Sequence, residues 1–232
     1  MANNPQSGQA SPSDLFSPYN SLAFVIWSIL SKIAGATVVK VMGVTNSGGV
    51  TPVGTVDIMP MVNQMDGNWN AVPHATIFKC PYFRLQGGAD AIILDPKVGD
   101  IGIAIFADRD ISNVIATKAV SNPGSRRMYD MADGLYIGGV LNGTPTQYVE
   151  FSTAGIKIVS PTAIEMDAPD IKLVAPTVEI NASSGVTITT PTVQVNGAIV
   201  ATGNVTAGSI DLETHHHTGV QTGSGNTGGP AG

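Results

Sequence analysis

The C-terminal half of the chain repeats one pattern of apolar and polar positions. From Tyr148 onward, two apolar residues separated by one polar residue recur, and the first members of successive pairs lie 7, 8, 7, 7, 8 and 7 residues apart. Because alternate residues of a strand share one face, each pair predicts a short strand with one apolar side. The pairs are Val149/Phe151, Ile156/Ile158, Ile164/Met166, Ile171/Leu173, Val178/Ile180, Val186/Ile188 and Val193/Val195. Prolines fit strand starts and corners, and they stand just ahead of four pairs, at Pro161, Pro169, Pro176 and Pro191.

A single chain with this repeat is too sparse in apolar residues to enclose a core of its own. The period is also too short for a helical solenoid. Three chains wound about a common axis would enclose a core as a triangular prism, which we favour over a single-chain β-solenoid. The sequence therefore predicts a homotrimeric β-helix over residues 135–212. The polar residues between the pair members face outward, and five of them alternate in charge, so that neighbouring strands present opposite charges; these are Glu150, Lys157, Glu165, Lys172 and Glu179.

Short apolar stretches separated by turn residues also mark the N-terminal half. They predict strands at Thr37–Val44, Gly54–Met61, Ala75–Phe83, Ala91–Leu94 and Ile101–Phe106. Several short strands in residues 36–118 indicate a small closed barrel of the oligonucleotide-binding (OB) type, because closure removes exposed strand edges. Residues 119–134 are then a linker, in which Arg126 and Arg127 are interpreted as a solvated charge pair.

One apolar segment near the N-terminus has helical spacing. Leu22, Val25, Ile26, Ile29 and Ile33 predict a short helix within an N-terminal region of residues 1–35. We expect Asn20 or Ser21 to cap it and Gly35 to end it. The segment is too short to span a bilayer, and we expect it to pack on a partner protein or on the other chains of the trimer.

Composition narrows the classes of function. The net charge is −6, which argues against a nucleic-acid partner, because such binding needs Lys and Arg to displace phosphate counterions. The single cysteine, Cys80, lies in an apolar run and is interpreted as a buried, inert thiol. We find no Ser-His-Asp order, phosphate-binding glycine loop or zinc-protease motif. The sequence therefore predicts a protein that is not an enzyme.

The run Glu213-Thr214-His215-His216-His217-Thr218-Gly219 follows the repeat. In an extended strand His215 and His217 share one face and His216 faces the opposite way. On a threefold axis two imidazoles per chain make six, which favours an octahedral transition metal. Zinc usually takes four ligands, so we expect one iron ion per trimer in an apex of residues 213–232, although another transition metal fits as well. A solvated polar loop and a purification remnant are the simpler alternatives.

Three features together resemble one known family. The stretches GTVDIMPMVNQMDG and LDPKVGDIGIAIFADRDI resemble the N-terminal domain of central spike proteins of contractile phage tails. The short repeat, its His-x-His ending and the Gly/Thr-rich tail resemble the spike apex of the same family. The resemblance implies a homotrimer in the virion, at the baseplate end of a contractile tail, that contacts tail-hub and baseplate proteins. It also implies iron held by His215 and His217, and a tip driven through the host outer membrane when the sheath contracts.

Two other functions compete with this interpretation. A trimeric receptor-binding tail fibre tip would share the repeat and the histidines, but it would be expected to expose aromatic residues for sugars. A spike-fused cell-wall hydrolase would need two carboxylates across a cleft, and the loops around Asp95, Asp100, Asp108 and Asp110 are short. Polysaccharide binding and cell-wall lysis are the assays that separate these alternatives from a spike.

Overall fold

The computed structural model describes residues 16–46, 49–65, 70–217, 219 and 223. The described chain is mainly β, with few helices, and its largest sheet is a curled half-barrel. The chain divides into two units, Met1–Ile164 and Glu165–Gly232. The first unit contains the sheet, and the second contains the later repeats and the histidine run.

The main sheet has five antiparallel strands in the order β5-β2-β1-β8-β9. They are β1 (Ala36–Val44), β2 (Thr55–Pro60), β5 (Ile77–Pro81), β8 (Ile101–Phe106) and β9 (Gly134–Gly139). The two outer strands approach each other at one point, where Tyr82 forms a parallel bridge with Tyr136. The backbone N–H of Phe83 donates to the carbonyl of Tyr136 at 2.8 Å. The curl of the sheet therefore brings its first and last strands together.

The core lies inside this curl and follows the alternation of the strands. Every second residue of β2 is buried, Val39 and Val41 of β1 are buried, and a tyrosine from β9 is buried with them. Gly102 makes room for that ring, because an added Cβ would overlap the Tyr136 side chain and the carbonyl of Gly138. The buried apolar residues are Val39, Val41, Val56, Ile58, Cys80, Tyr82, Ala104 and Tyr136. The buried position predicted for Cys80 is confirmed.

Short elements surround the sheet. Two-residue strands β3 (Gln64–Met65) and β4 (Ala71–Val72) pair with each other. The predicted strand Ala91–Leu94 is instead part of a hairpin of β6 (Leu85–Gly87) and β7 (Asp90–Ile92). Its turn contains Gly88 at φ 59°, a conformation that glycine adopts without steric cost. Helix α2 (Ser112–Thr117) and a 3₁₀ turn (Met131–Asp133) precede β9.

The predicted apolar helix is present but begins earlier than expected. Helix α1 spans Pro18–Leu30, and the Ser17 hydroxyl caps it by accepting from the Asn20 backbone N–H at 3.1 Å. The prediction of Asn20 or Ser21 as the cap is therefore wrong, because Pro18 suits the first helical turn and places the cap one residue before it. None of the helix residues is buried. Within the described residues, no helix has the length and apolar character that a membrane crossing needs.

The segment predicted as a linker is tied to the sheet. The sheet takes in β9, residues 134–139, so it extends past residue 118, where the sequence placed the end of the barrel. Arg127 forms ion pairs with Asp133 at 2.8 Å and with Asp110 at 3.1 Å. The interpretation of Arg127 as a solvated charge is therefore wrong, because two buried carboxylates neighbour it in the fold. Arg126 is exposed, as predicted.

Two hairpins mark the beginning and the end of the repeat. In the first unit β10 (Tyr148–Ser152) pairs with β11 (Gly155–Val159). In the second unit β12 (Thr206–Ala207) pairs with β13 (Ile210–Asp211) just before the histidines. Residues 160–205, all described, contain no strand. The strands predicted for the later repeats are therefore not formed within the single chain, and the three-chain prism stays a prediction.

Candidate spike apex and repeat surface

The apolar residues of the repeat are exposed in the single chain. Both members of every predicted pair are between 48% and 77% exposed. The residues that the sequence predicts to face inward are therefore not covered by the chain itself. Monomeric soluble proteins rarely expose contiguous apolar patches of more than a few hundred Å², so this surface indicates an interface with another chain.

The backbone of the repeat also lacks partners within the chain. Among residues 160–204, all of which the structure describes, no backbone N–H donates to a backbone carbonyl. The bonds that do occur there involve side chains over two residues, such as Asn181 Nδ2 to Glu179 Oε1 at 2.8 Å. Because backbone polar groups must be paired when they are buried, this segment is not paired as a buried segment would be.

The first two repeats show how the pattern behaves when strands do pair. In the β10–β11 hairpin Val149 lies opposite Ile158, and Phe151 lies opposite Ile156. These four side chains share one face of the hairpin. Glu150 lies opposite Lys157 on the other face. The local geometry therefore confirms that the apolar pairs and the charged residues of these two repeats occupy opposite faces.

The chain immediately before the histidines is held by a small set of hydrogen bonds. The Thr206 hydroxyl bonds Asp211 Oδ1 at 2.5 Å, and Asn204 Oδ1 accepts from the Glu213 N–H at 3.2 Å. The Leu212 N–H donates to the carbonyl of Val205 at 2.9 Å. These contacts close the β12–β13 hairpin and fix the point from which the histidines project.

The structure brings the two predicted ligands together. The rings of His215 and His217 have centroids 5.1 Å apart and meet edge to face. A turn at residues 212–214 follows β13 and leads into residues 215–217, which form no regular strand within the chain. His216 makes no such ring contact among the described residues and is exposed.

The donor set fits a shared metal ion. His215 Nδ1 lies 3.1 Å from the carbonyls of both Asp211 and Leu212. A hydrogen bond from Nδ1–H to a carbonyl fixes the tautomer that leaves Nε2 as the ligand, which is the usual second contact of a metal-binding histidine. Within the described part of the chain, no group of three or more His, Cys, Asp or Glu residues is arranged to hold an ion. Within the described residues, the His215–His217 pair therefore offers two imidazoles and no third ligand.

Sequence reasoning missed the acidic centre that orders residues 119–133. Asp110 and Asp133 are buried, and Arg127 bridges them. Hydrogen bonds from the Ser112 and Ser125 side chains and the Ser112 amide lower the pKa of Asp110 to about 2, and the charge of Arg127 contributes. The Asp-Arg-Asp run at 108–110 can be seen in the sequence, but the contact of Asp110 with Arg127, 17 residues later, cannot.

A second ion pair holds the β6–β7 region. Arg84 contacts Asp95 at 2.7 Å, and both side chains are almost fully buried. Arg84 also donates to the carbonyl of Thr51 at 2.6 Å and to the hydroxyl of Tyr82 at 3.4 Å. Asp95 is therefore a structural partner of Arg84, which removes it from the carboxylates available to a hydrolase.

Burial accounts for the chemistry expected of Cys80. Desolvation of the thiol, with a smaller effect from the nearby charge of Asp57, raises the pKa of Cys80 to about 11. The thiol is therefore protonated at neutral pH and is a poor nucleophile.

The GpV apex motif matches residues 212–231. This range begins at the end of the β12–β13 hairpin and includes both His215 and His217. No curated protein matches the chain. The motif points to the apex of a GpV-type phage central spike. It is consistent with a phage spike or tail-tip protein and with a place in the tail tip of the virion.

Proposed function

We propose that this protein is the central spike of a contractile injection system and pierces the host outer membrane when the tail sheath contracts. The observation that carries the proposal is the GpV apex motif at residues 212–231, which directly follows a repeat whose apolar residues are exposed in the single chain. An apex after an unpaired β-repeat is the arrangement expected of a trimeric needle.

The proposed assembly is a homotrimer with two parts. The N-terminal part is a small OB-type barrel, which is supported by the strand order β5-β2-β1-β8-β9 and by the parallel bridge between Tyr82 and Tyr136. The C-terminal part is an intertwined β-helix, in which the exposed apolar pairs of three chains form the core. Burial of these pairs and pairing of the free backbone groups would occur in the same step.

The proposed metal site lies at the apex. In the trimer, His215 and His217 of all three chains would together hold one iron ion, or one ion of another transition metal that accepts imidazole. The ion would cross-link three chains where apolar burial is smallest. Metal analysis of the purified protein tests this directly: His217→Ala should lose the bound metal, while His216→Ala, the matched neighbour, should retain it. Equal metal content in both variants would contradict the assignment.

A piercing role needs stiffness and a narrow tip, and it needs no catalytic site. The mechanical work would come from the contracting sheath, so we propose that the protein is not an enzyme. The contact with the host outer membrane would be brief and mechanical. Nucleic acid is not among the proposed partners, because the net charge is −6.

The N-terminal region is the proposed contact with the tail hub and other baseplate proteins. Helix α1 has no buried residue, and its side chains from Leu22 to Leu30 are apolar except for Ser28. A helix that is apolar on all sides is normally covered by protein. The barrel end of the spike would thus join the baseplate, and the apex would point toward the host.

Immunogold electron microscopy of contractile particles tests the proposed location. Antibody against this chain should label the tip of the tail, and particles that lack the chain should attach to host cells without permeabilising the outer membrane. Label on the fibres, with binding to purified surface polysaccharide, would instead favour a receptor-binding fibre tip. Lysis of purified cell walls would favour a spike-fused hydrolase.

A further inference from the structure

Three outward-facing charges of the repeat form no ion pair with any described residue of their own chain. Glu165, Lys172 and Glu179 are exposed, and none of them takes part in an ion pair within the described residues. Glu179 accepts a hydrogen bond from Asn181, which is neutral. The three charges follow each other at intervals of one repeat and alternate in sign. An alternation of this kind has a physical effect only if something brings neighbouring repeats side by side.

The β10–β11 hairpin shows which charges meet when repeats pair. Glu150 and Lys157 occupy equivalent positions in successive repeats, and they lie directly opposite each other. Opposite charges in such cross-strand positions attract, and like charges repel. The β10–β11 pairing therefore places the outward residue of one repeat beside that of the next repeat.

For the later repeats this neighbour comes from another chain. Residues 160–204 form no backbone pairing with each other, so repeats of one chain do not lie side by side in that segment. In a threefold prism the same repeat of each chain lies at the same height. In such a prism each repeat of a chain would form one strand on one of the three side walls. The next repeat of the same chain would lie on the next wall, one strand higher along the axis. Each strand would therefore lie between the preceding repeat of one neighbouring chain and the following repeat of the other.

We propose that Lys172 of each chain lies between Glu165 of one neighbouring chain and Glu179 of the other. The partner of the repeat is another copy of the same chain. The alternating charges on the outward face and the apolar pairs on the inward face are what the two copies would recognise in each other. The inference rests on the proposed trimer and adds which repeats face each other. A slip by one repeat would place like charges together, so the charges disfavour that misalignment of the three chains.

Charge substitutions at one outward position give the sharpest test. Thr187 follows Glu179 by one repeat and carries no charge. Thr187→Lys should extend the alternation and raise the midpoint of thermal dissociation of the trimer, whereas Thr187→Glu should lower it. At Gln194 the adjacent repeat is neutral, so Gln194→Lys and Gln194→Glu should have equal midpoints. This second pair is the matched control for charge alone.

A reversal and its compensation complete the experiment. Lys172→Glu should lower the midpoint, and the difference from the unmodified protein should shrink in about 1 M salt, where the Debye length is about 3 Å. Simultaneous reversal of all five charges restores every opposite-sign contact and should return the midpoint to that of the unmodified protein; the five are Glu150, Lys157, Glu165, Lys172 and Glu179.

The outcomes separate this inference from the proposed function. Equal midpoints for Thr187→Lys and Thr187→Glu, or a five-charge reversal as unstable as Lys172→Glu, would overturn the assigned neighbours while the trimer stands. An unmodified protein that is monomeric under all conditions would overturn both the trimer and the inference.

Discussion

Replacement of Ile188 by alanine tests the proposed apolar core of the repeat. Ile188 is 67% exposed in the single chain, and the trimer would bury it. The change removes three carbon atoms, which is worth about 2.4 kcal/mol at full burial. Scaling by the exposed fraction gives about 1.6 kcal/mol per chain, and the three copies in a trimer give about 5 kcal/mol. A loss of that size weakens association by between about three and four orders of magnitude.

The assay is sedimentation equilibrium over a range of protein concentrations. We expect Ile188→Ala to dissociate at concentrations at which the unmodified protein remains trimeric. Thr187→Ala is the matched control, because its side chain is exposed in the single chain and would stay exposed on the outward face of the proposed trimer. If both variants associate as the unmodified protein does, or if both weaken equally, the assignment of inward and outward faces is refuted.

Three further predictions concern the main sheet and the segments that contact it. Arg127→Met should lower the free energy of unfolding by about 3 kcal/mol, because it leaves the buried carboxylate of Asp133 without its ion-pair partner. Arg126→Met, the control, should change the free energy of unfolding little. Chemical denaturation of both variants measures the difference. The pKa of Asp110 is lowered to about 2 in the folded state. Its contribution to stability is therefore present above pH ~4 and lost as the pH falls toward 2, which urea titrations at several pH values measure; stability unchanged over that range would refute the shift. Cys80 should react with iodoacetamide only after unfolding at neutral pH, and rapid labelling of the native protein would contradict its burial.

The alternation of apolar residues was enough to predict most of the sheet. Val39 and Val41 on one strand and Val56 and Ile58 on the next are spaced by two residues, and all four are buried. That spacing is a local property, so it can be recognised without knowledge of the fold. The same is true of Pro18, which could have revealed the true start of the helix.

Contacts between distant parts of the chain could not be read in the same way. Arg127 contacts Asp110, which precedes it by 17 residues, and nothing in the composition of the segment at 119–134 indicates that contact. The sequence also located β9 outside the barrel, since its glycine-rich pattern has few apolar positions to alternate. Long-range pairing was therefore the part of the fold that local patterns did not carry.

At the candidate apex, too, one feature was predictable from the local sequence and another was not. The spacing of His215 and His217 predicted two ligands on one side, and their rings do lie close together. Residues 215–217 follow a turn and form no strand within the chain, so the extended strand from which the spacing was interpreted stays a prediction. The hydrogen bonds from His215 to two backbone carbonyls depend on that turn and were not predictable from spacing.

Native mass spectrometry of the untagged protein tests the central claim most directly, because it reports stoichiometry and bound metal together. The account predicts a species of three times 23.8 kDa that carries one transition-metal ion. A metal-free monomer would contradict both the three-chain prism and the site at His215 and His217.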